Sequence, residues 1–434
     1  MMQKKIKINI ITLGCSKNLV ESEYLMNQIK ANKIEVFHDS DKKDFDAVII
    51  NTCGFILDAK EESINTILEY IALKEQDKIR KVYVIGCLSE RYKDDLRKEM
   101  PEVDKYFGNV NVEEIIKELE LEFMEEIRFN RTITTPSHYA YLKIAEGCDR
   151  TCSFCAIPLI KGAYTSRKME DILTEAKYLK SQNVKEIILI AQDLTYYGYD
   201  IYKESKLAEL VETIAKTNDF EWIRLNYAYP SKFPKDLISV MRKYSNICKY
   251  IDIPLQHISD DILKNMRRGL DSKGTIDLMN FIRQEIPEIS LRTTMLVGHP
   301  GETEEHFEEL KNFVREFKFD RLGVFAYSEE EGTYAAKKFK DEISDEVKQQ
   351  RVAELMEVQQ QVSFEKNQLK VGKTFKTIID REEADYYIGR TEFDAPEVDN
   401  EVLISKKNRK LKVGEFYNFK IASASEFDLY AETM

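Results

Sequence analysis

One nine-residue stretch, Gly147-Cys148-Asp149-Arg150-Thr151-Cys152-Ser153-Phe154-Cys155, holds three of the chain's 7 cysteines at the spacing Cys-x-x-x-Cys-x-x-Cys. Structural zinc usually takes four ligands in two pairs, and a thioredoxin-type redox site takes one Cys-x-x-Cys. Three thiolates on one short loop suit a cubane iron–sulfur cluster instead. They hold three of its four irons and leave the fourth open to chelate a small molecule through amino and carboxylate groups. The loop therefore reads as catalytic. The plain alternative is a zinc knuckle that borrows a distant ligand such as His138, although no second Cys-x-x-Cys or histidine pair lies nearby.

These residues resemble the radical S-adenosylmethionine (SAM) enzymes. The resemblance implies a 4Fe-4S cluster on Cys148, Cys152 and Cys155 whose open iron binds SAM and passes it one electron.

Three more cysteines lie far apart in sequence but at equivalent places. Apolar strands are predicted at residues 6–13, 47–51 and 81–85, with helices at 19–31 and 59–73. Cys15, Cys53 and Cys87 follow these strands directly. Ligands of parallel α/β sheets gather outside the carboxyl ends of the strands, so the three can converge as a second three-thiolate site; ordinary buried cysteines are the alternative. Gly14-Cys15-Ser16-Lys17-Asn18, Asn51-Thr52-Cys53-Gly54-Phe55-Ile56 and Gly86-Cys87 narrow the resemblance to the methylthiotransferases. That family carries an auxiliary cluster in an amino-terminal domain. The resemblance thus implies two 4Fe-4S clusters, the auxiliary one on Cys15, Cys53 and Cys87 with its open iron carrying the sulfur to be inserted.

After a linker near residues 129–137, strand and helix alternate, with strands predicted at 141–145, 186–191, 222–226, 250–253, 291–297 and 322–326. This is a parallel (β/α) barrel or part of one, and the cysteine loop follows its first strand, at the face where such barrels keep their chemistry. Ala191-Gln192-Asp193, Ile253-Pro254-Leu255-Gln256-His257 and Thr293-Thr294-Met295-Leu296-Val297-Gly298-His299-Pro300-Gly301-Glu302-Thr303 match the narrower family and are expected to line the SAM and substrate cavity. His299 stands where the family more often has phenylalanine. Cys248 reads as core, His38 and His306 as surface residues, and His257 as either a ligand contact or a packed side chain.

A long helix is expected over residues 343–369, with Val352, Leu355, Met356 and Val362 on one face. Strands then follow at 374–380, 385–391, 401–404 and 416–422, with turns at Gly389, Ala395-Pro396 and Val413-Gly414. This small β-barrel resembles a TRAM domain. The expected class is α/β: an amino-terminal open α/β domain (1–128), a central partial (β/α) barrel of radical SAM type (138–366) and a TRAM-like β-barrel (367–434).

Acidic residues outnumber basic ones 77 to 65, for a formal net charge of −12, which argues against non-specific attraction to nucleic acid. Residues 367–434 hold eleven Lys and Arg against thirteen Asp and Glu, so the small barrel offers phosphates little. This favours a protein acceptor over transfer RNA. Cys15-Ser16-Lys17-Asn18, Cys53-Gly54-Phe55-Ile56, Tyr164-Thr165-Ser166-Arg167 and Ala395-Pro396-Glu397-Val398-Asp399 resemble the family branch that modifies an aspartate of small-subunit ribosomal protein twelve. By that resemblance one SAM methylates the auxiliary sulfur, and a second yields a deoxyadenosyl radical that takes hydrogen from the aspartate β-carbon. No side-chain base readily opens that bond at neutral pH. The resemblance also implies the ribosome or its protein as partner and a reductant such as flavodoxin or ferredoxin. Deleting residues 367–434 is expected to abolish modification and spare SAM cleavage. The same chemistry on transfer RNA, or a non-catalytic iron–sulfur carrier or zinc scaffold, are the alternatives. Residues Met1 to Asn9 are too short an apolar run for an export signal or membrane span, and a lipoprotein reading of Leu13-Gly14-Cys15 fails with them. A cytoplasmic protein is expected, and its reducing surroundings disfavour disulfides.

Overall fold

The computed structural model describes residues 6–217, 219–407 and 410–432; the first five residues of the amino-terminal segment read above lie outside them. By its internal contacts the chain forms two units. One comprises Met1–Thr135, Tyr141–Asp149 and Ala156–Tyr178, the other Pro136–Ala140, Arg150–Cys155 and Leu179–Met434. The division runs through the cysteine loop, with Cys148 in the first unit and Cys152 and Cys155 in the second.

In the first unit β1 (Lys7–Thr12), β2 (Glu35–His38), β3 (Phe45–Thr52), β4 (Ile79–Gly86) and β5 (Lys105–Gly108) form a parallel sheet in the order β2-β1-β3-β4-β5. The helices α1 (Ser16–Ala31), α2 (Leu57–Glu75), α3 (Cys87–Glu99) and α4 (Val112–Glu118) cover both faces. Val48 and Ile50 share a core with Ile67 of α2 and Leu96 of α3, while Ala47 and Ile49 share one with Leu25 of α1 and Ile115 of α4. A strand buried on both faces reads as a continuous apolar run, which is why β1, β3 and β4 are legible in the sequence. The edge strands β2 and β5 have four residues each and carry no such run. Chain order reverses between β1 and β3, opening a crevice at their carboxyl ends. β6 (Tyr139–Lys143) begins in the second unit and ends in the first, where the antiparallel pair β7 (Ala145–Glu146) and β8 (Thr165–Ser166) and the helix α5 (Ile157–Lys161) follow.

The second unit is built on β9 (Glu186–Ile190), β10 (Trp222–Leu225), β11 (Ile247–Asp252), β12 (Ser290–Val297) and β13 (Arg321–Ala326), in a sheet of order β13-β12-β11-β10-β9-β6. Here strand order follows chain order throughout. Each crossover advances the same way, the winding of a (β/α) barrel left open between β6 and β13. The helix Asp345–Gln368 forms close to its expected place, but its buried face differs. Leu355 and Val362 are inside, Val352 and Met356 only half so, and Lys348, Arg351, Gln359, Ser363 and Asn367 take the remaining places. These polar groups are partnered: Lys348 with Asp341 at 2.6 Å, Arg351 with Glu302 at 2.7 Å, and Gln359 with the Phe319 carbonyl at 3.1 Å.

β14 (Thr374–Glu382), β15 (Tyr386–Thr391), β16 (Glu401–Ser405), β17 (Phe416–Ala424) and β18 (Asp428–Ala431) close into a barrel around Ile379, Tyr387, Val402, Phe419 and Leu429. Gly389, expected at a turn, lies inside β15 opposite Ile379 and Val402. A Cβ there would stand 2.4 Å from the Ile378 carbonyl oxygen, so the bare position lets neighbouring strands approach.

Within this unit the small barrel is fastened to the amino-terminal ends of the sheet strands. Trp222 meets Phe416 edge-on at 4.8 Å, and Cys248, core as expected, packs with Trp222, Tyr250 and Ile378. Glu186, fully buried, pairs with Arg224 at 2.8 Å and with Arg390 of β15. Arg321 donates to Asp394 at 3.0 Å and Arg292 to Asp399 at 2.6 Å. The barrel is therefore packed on the sheet through buried ion pairs, a coupling that the expectation for deleting residues 367–434 did not include. Among the described residues no helix is long and apolar enough to cross a membrane.

Candidate functional site

Cys15 caps the amino end of α1, Cys53 leaves β3 and Cys87 opens α3, so three thiols stand at the carboxyl ends of the adjacent strands β1, β3 and β4. Cys15 is exposed, Cys53 half-buried and Cys87 buried. A Cβ on Gly14 would lie 2.8 Å from the Cys53 Cβ, and one on Gly54 would lie 2.7 Å from the Leu88 Cα. Any side chain at either place would force the three turns apart. Asn18 clips them together: its Nδ2 donates to the Leu13 carbonyl at 2.9 Å and to the Thr52 carbonyl at 3.2 Å, and its Oδ1 lies 3.9 Å from the Cys87 Sγ.

Burial pushes the Cys87 thiol up to about 12, opposed by the nearby Lys161 ammonium, and raises Cys53 as well. The start of a helix favours anionic sulfur at Cys87, against the upward push of burial, and a bound metal would take these sulfurs as thiolates. Ala156 and Ile160 pack on Cys87. Lys161 is buried against Glu21 at 3.1 Å, and Lys143 bonds Glu21 at 2.8 Å and Glu146 at 2.7 Å, so this local positive charge is already compensated.

The other three cysteines belong to the nine-residue loop. In the first unit the Cys148 N–H donates to the Gly162 carbonyl at 3.1 Å, and the Tyr164 N–H donates to Asp149 Oδ1 at 2.9 Å. In the second unit the anchor is Ser153. Its N–H donates to the Met266 carbonyl at 3.0 Å, its carbonyl accepts from the Ala335 N–H at 2.7 Å, and its hydroxyl lies 3.2 Å from His299 Nε2. Phe154 packs with Ile262, Met266, Leu296 and Tyr327. Cys152 and Cys155 flank this anchor, both half-buried. The Cys152 Sγ accepts from Arg268 Nη1 at 3.1 Å and lies 3.6 Å from the Tyr229 hydroxyl. The guanidinium groups of Arg150 and Arg268 each lie 4.3 Å from the Tyr229 ring centroid.

Of the expected cavity residues, Asp193 reaches the cysteine loop by accepting from Arg150 Nε at 2.7 Å. His257 takes the packed alternative, fully buried with Nδ1 accepting from the Ser259 N–H at 3.0 Å and Nε2 3.4 Å from Glu302. His299 occupies an aromatic niche, edge-on to Tyr327 at 5.3 Å and Phe339 at 5.8 Å, and burial pulls its imidazole down to about 4. His38 and His306, expected on the surface, are half-buried and bonded, to Thr12 at 3.0 Å and to the Thr303 N–H at 3.2 Å. His138, the knuckle candidate, is engaged by Asp380 at 2.8 Å. Among the described residues no three of His, Cys, Asp and Glu close to a spacing that would hold a single ion. Arg268, Tyr229 and Lys161 escaped the sequence reading. Arg267-Arg268-Gly269 was a visible cluster, but its sulfur partner is 116 residues away.

Residues 142–314 match the radical SAM superfamily, residues 7–108 the uncharacterized protein family UPF0004, and residues 371–434 the TRAM domain. The ribosomal protein uS12 methylthiotransferase RimO of Phocaeicola vulgatus is 59% identical over 431 residues, covering 99% of this chain and 100% of that one. RimO of Bacteroides thetaiotaomicron is 57% identical, covering 99% of each. Among solved structures, the radical SAM methyltransferase TsrM of Kitasatospora setae shares the fold, with a TM-score of 0.55 at 13% identity over 76% of this chain and 74% of that one. With a majority of positions identical from end to end, the chain belongs to the RimO family of ribosomal protein uS12 methylthiotransferases, which are radical SAM enzymes.

Proposed function

We propose that this protein inserts a methylthio group at the β-carbon of an aspartate of ribosomal protein uS12. In this reading Cys148, Cys152 and Cys155 hold one 4Fe-4S cluster and Cys15, Cys53 and Cys87 the auxiliary one. The observation that carries the activity is 59% identity to a uS12 methylthiotransferase over 99% of the chain. The donor sets fit the groups: each trio offers three soft sulfurs and leaves one iron of a cubane open. The buried Arg268 Nε, without a partner among the described residues, adds a spare donor beside Cys152.

When bound, the clusters and SAM supply the sulfur, the methyl group and the one-electron chemistry that opens an unactivated C–H bond. The chain's residues do the rest. Gly14, Gly54 and Asn18 hold the auxiliary thiols together at the switch point of the amino-terminal sheet. Ser153 and Phe154 lock the cysteine loop, and Asp193 fixes Arg150 within it. Holding reacting groups in line is worth several orders of magnitude in rate, so this rigidity is part of catalysis. The modules are 1–128, 138–366 and 367–434. A low-potential donor such as flavodoxin or ferredoxin supplies the electron, and a ribosomal acceptor puts the work in the cytoplasm.

A uS12 acceptor is preferred to transfer RNA because residues 367–434 carry eleven basic against thirteen acidic side chains. Anaerobic turnover with ribosomes or a target peptide in one vessel and transfer RNA in another, read by mass spectrometry, tests this. Methylthiolated aspartate is expected. Modified adenosine with an untouched aspartate would overturn the acceptor and leave the chemistry standing.

A further inference from the structure

Arg268 is buried, yet among the described residues no carboxylate pairs with it. Its Nη2 is spent on the Pro254 carbonyl, its Nε has no partner, and its Nη1 points at the Cys152 sulfur, 3.1 Å away. The placement is built rather than incidental. The Met266 carbonyl is bonded to the Ser153 N–H of the cysteine loop, Arg267 turns the chain in the left-handed region (φ 58°), and the Arg268 N–H returns to the Leu263 carbonyl at 3.0 Å. The Tyr229 ring stacks on the guanidinium, and its hydroxyl donates to the Arg268 carbonyl at 2.9 Å. An uncompensated buried cation is costly, so a negative partner must stand next to it. The neighbouring Arg150 shows the contrast, since Asp193 neutralises it.

We infer that Arg268 is a positioning residue whose counter-charge is the Cys152 sulfur, and that it raises the reduction potential of the cluster on Cys148, Cys152 and Cys155. The inference rests on the assignment of that cluster. On reduction the cluster gains one electron from an external one-electron donor and becomes one unit more negative. A guanidinium at hydrogen-bond distance from a ligand sulfur favours that state over the oxidised one. The auxiliary trio lacks this asymmetry, because Lys161 near Cys87 is already held by Glu21.

The test is a dithionite-poised redox titration of the full-length, anaerobically reconstituted protein, followed by electron paramagnetic resonance. The variants are Arg268→Gln and Arg268→Lys, each also made in a background lacking Cys15, Cys53 and Cys87 so that one cluster is seen alone. Iron and sulfide counts come first. A parent without a cluster on the Cys148 trio would overturn the assignment and the inference with it. With the cluster present, Arg268→Gln is expected to lower the reduced-to-oxidised ratio at a fixed poise about tenfold, equivalent to ~59 mV for a one-electron couple. Arg268→Lys loses the stacking on Tyr229 but keeps a positive charge beside the Cys152 sulfur, and should stay within about threefold of the parent. A merely structural role would change iron content and not potential. An unmoved potential in Arg268→Gln, or equal shifts in both variants, would overturn the inference. Should Arg268→Gln fail to take up iron, the lysine variant decides: a parent-like ratio supports the charge, and a tenfold fall overturns it.

Discussion

The two cysteine trios reach the same donor set by opposite routes. Cys15, Cys53 and Cys87 come from three turns of one sheet, and the fold gathers them: strand order, two close-approaching glycine positions and the Asn18 clip suffice. Cys148, Cys152 and Cys155 are gathered by sequence spacing alone, and the surrounding elements supply anchorage and charge through Ser153, Phe154 and Arg268. A scattered ligand set makes the scaffold responsible for distance. A clustered set frees the scaffold to adjust electrostatics. The winding of the sheets follows the same division, since the reversal between β1 and β3 makes a crevice and the one-way order from β6 to β13 makes a barrel mouth.

The sharpest way to break this comparison is to remove each trio. Replacing Cys148, Cys152 and Cys155 by alanine is expected to halve bound iron and abolish reductive SAM cleavage. Replacing Cys15, Cys53 and Cys87 should also halve the iron but leave cleavage in place. Iron, sulfide and deoxyadenosine assays read both, and loss of all iron from either triple variant would show that the sites are not independent.

Next in size is the link between sheet and small barrel. Glu186→Gln removes the carboxylate that Arg224 and Arg390 share, and should cost about 3–5 kcal/mol in denaturant unfolding. Deleting residues 367–434 takes Arg390 from Glu186, Asp394 from Arg321 and Asp399 from Arg292, and is expected to lose SAM cleavage along with modification. Undiminished cleavage in the truncated protein would restore the sequence-based expectation.

His299 offers a pH test confined to the loop trio. Its imidazole stays neutral in the folded state, with a value pulled from 6.5 to about 4 by burial. The unfolded chain therefore binds the proton first, and stability falls as pH drops from about 6.5 toward 4, by at most ~3 kcal/mol. His299→Phe keeps the ring contacts and should flatten that slope in unfolding titrations of the metal-free protein; an unchanged slope would assign the acid sensitivity elsewhere. The smallest effect belongs to the other trio. Asn18→Ala leaves the Leu13 and Thr52 carbonyls unpaired and should cost about 1–3 kcal/mol, lowering auxiliary iron without touching SAM cleavage.

The main strands and the spacing of the cysteine loop were readable because both are local properties of the chain. An apolar run such as 47–51 announces a doubly covered strand, and Cys-x-x-x-Cys-x-x-Cys announces its own geometry. What could not be read depends on distant partners. β18 has four residues and exists because β16 and β17 pair with it. Gly389 looked like a turn because crowding from Ile378 is invisible in one dimension. The helix at Asp345–Gln368 hides Lys348 and Arg351 because Asp341 and Glu302 await them. Arg268 went unread for the same reason, its sulfur partner lying 116 residues away.

The pairing of Glu186 with Arg390 also sets a schedule for biosynthesis. The two residues are 204 positions apart. At about 5–20 residues per second, the carboxylate leaves the ribosome ~10–40 s before its partner. The amino-terminal sheet, whose last strand ends at Gly108, has all its strands early. The central sheet must wait, with the chain's 1 tryptophan, Trp222, uncovered until Phe416 arrives. Trp222 fluorescence is thus a native reporter of when the last domain docks on the nascent enzyme.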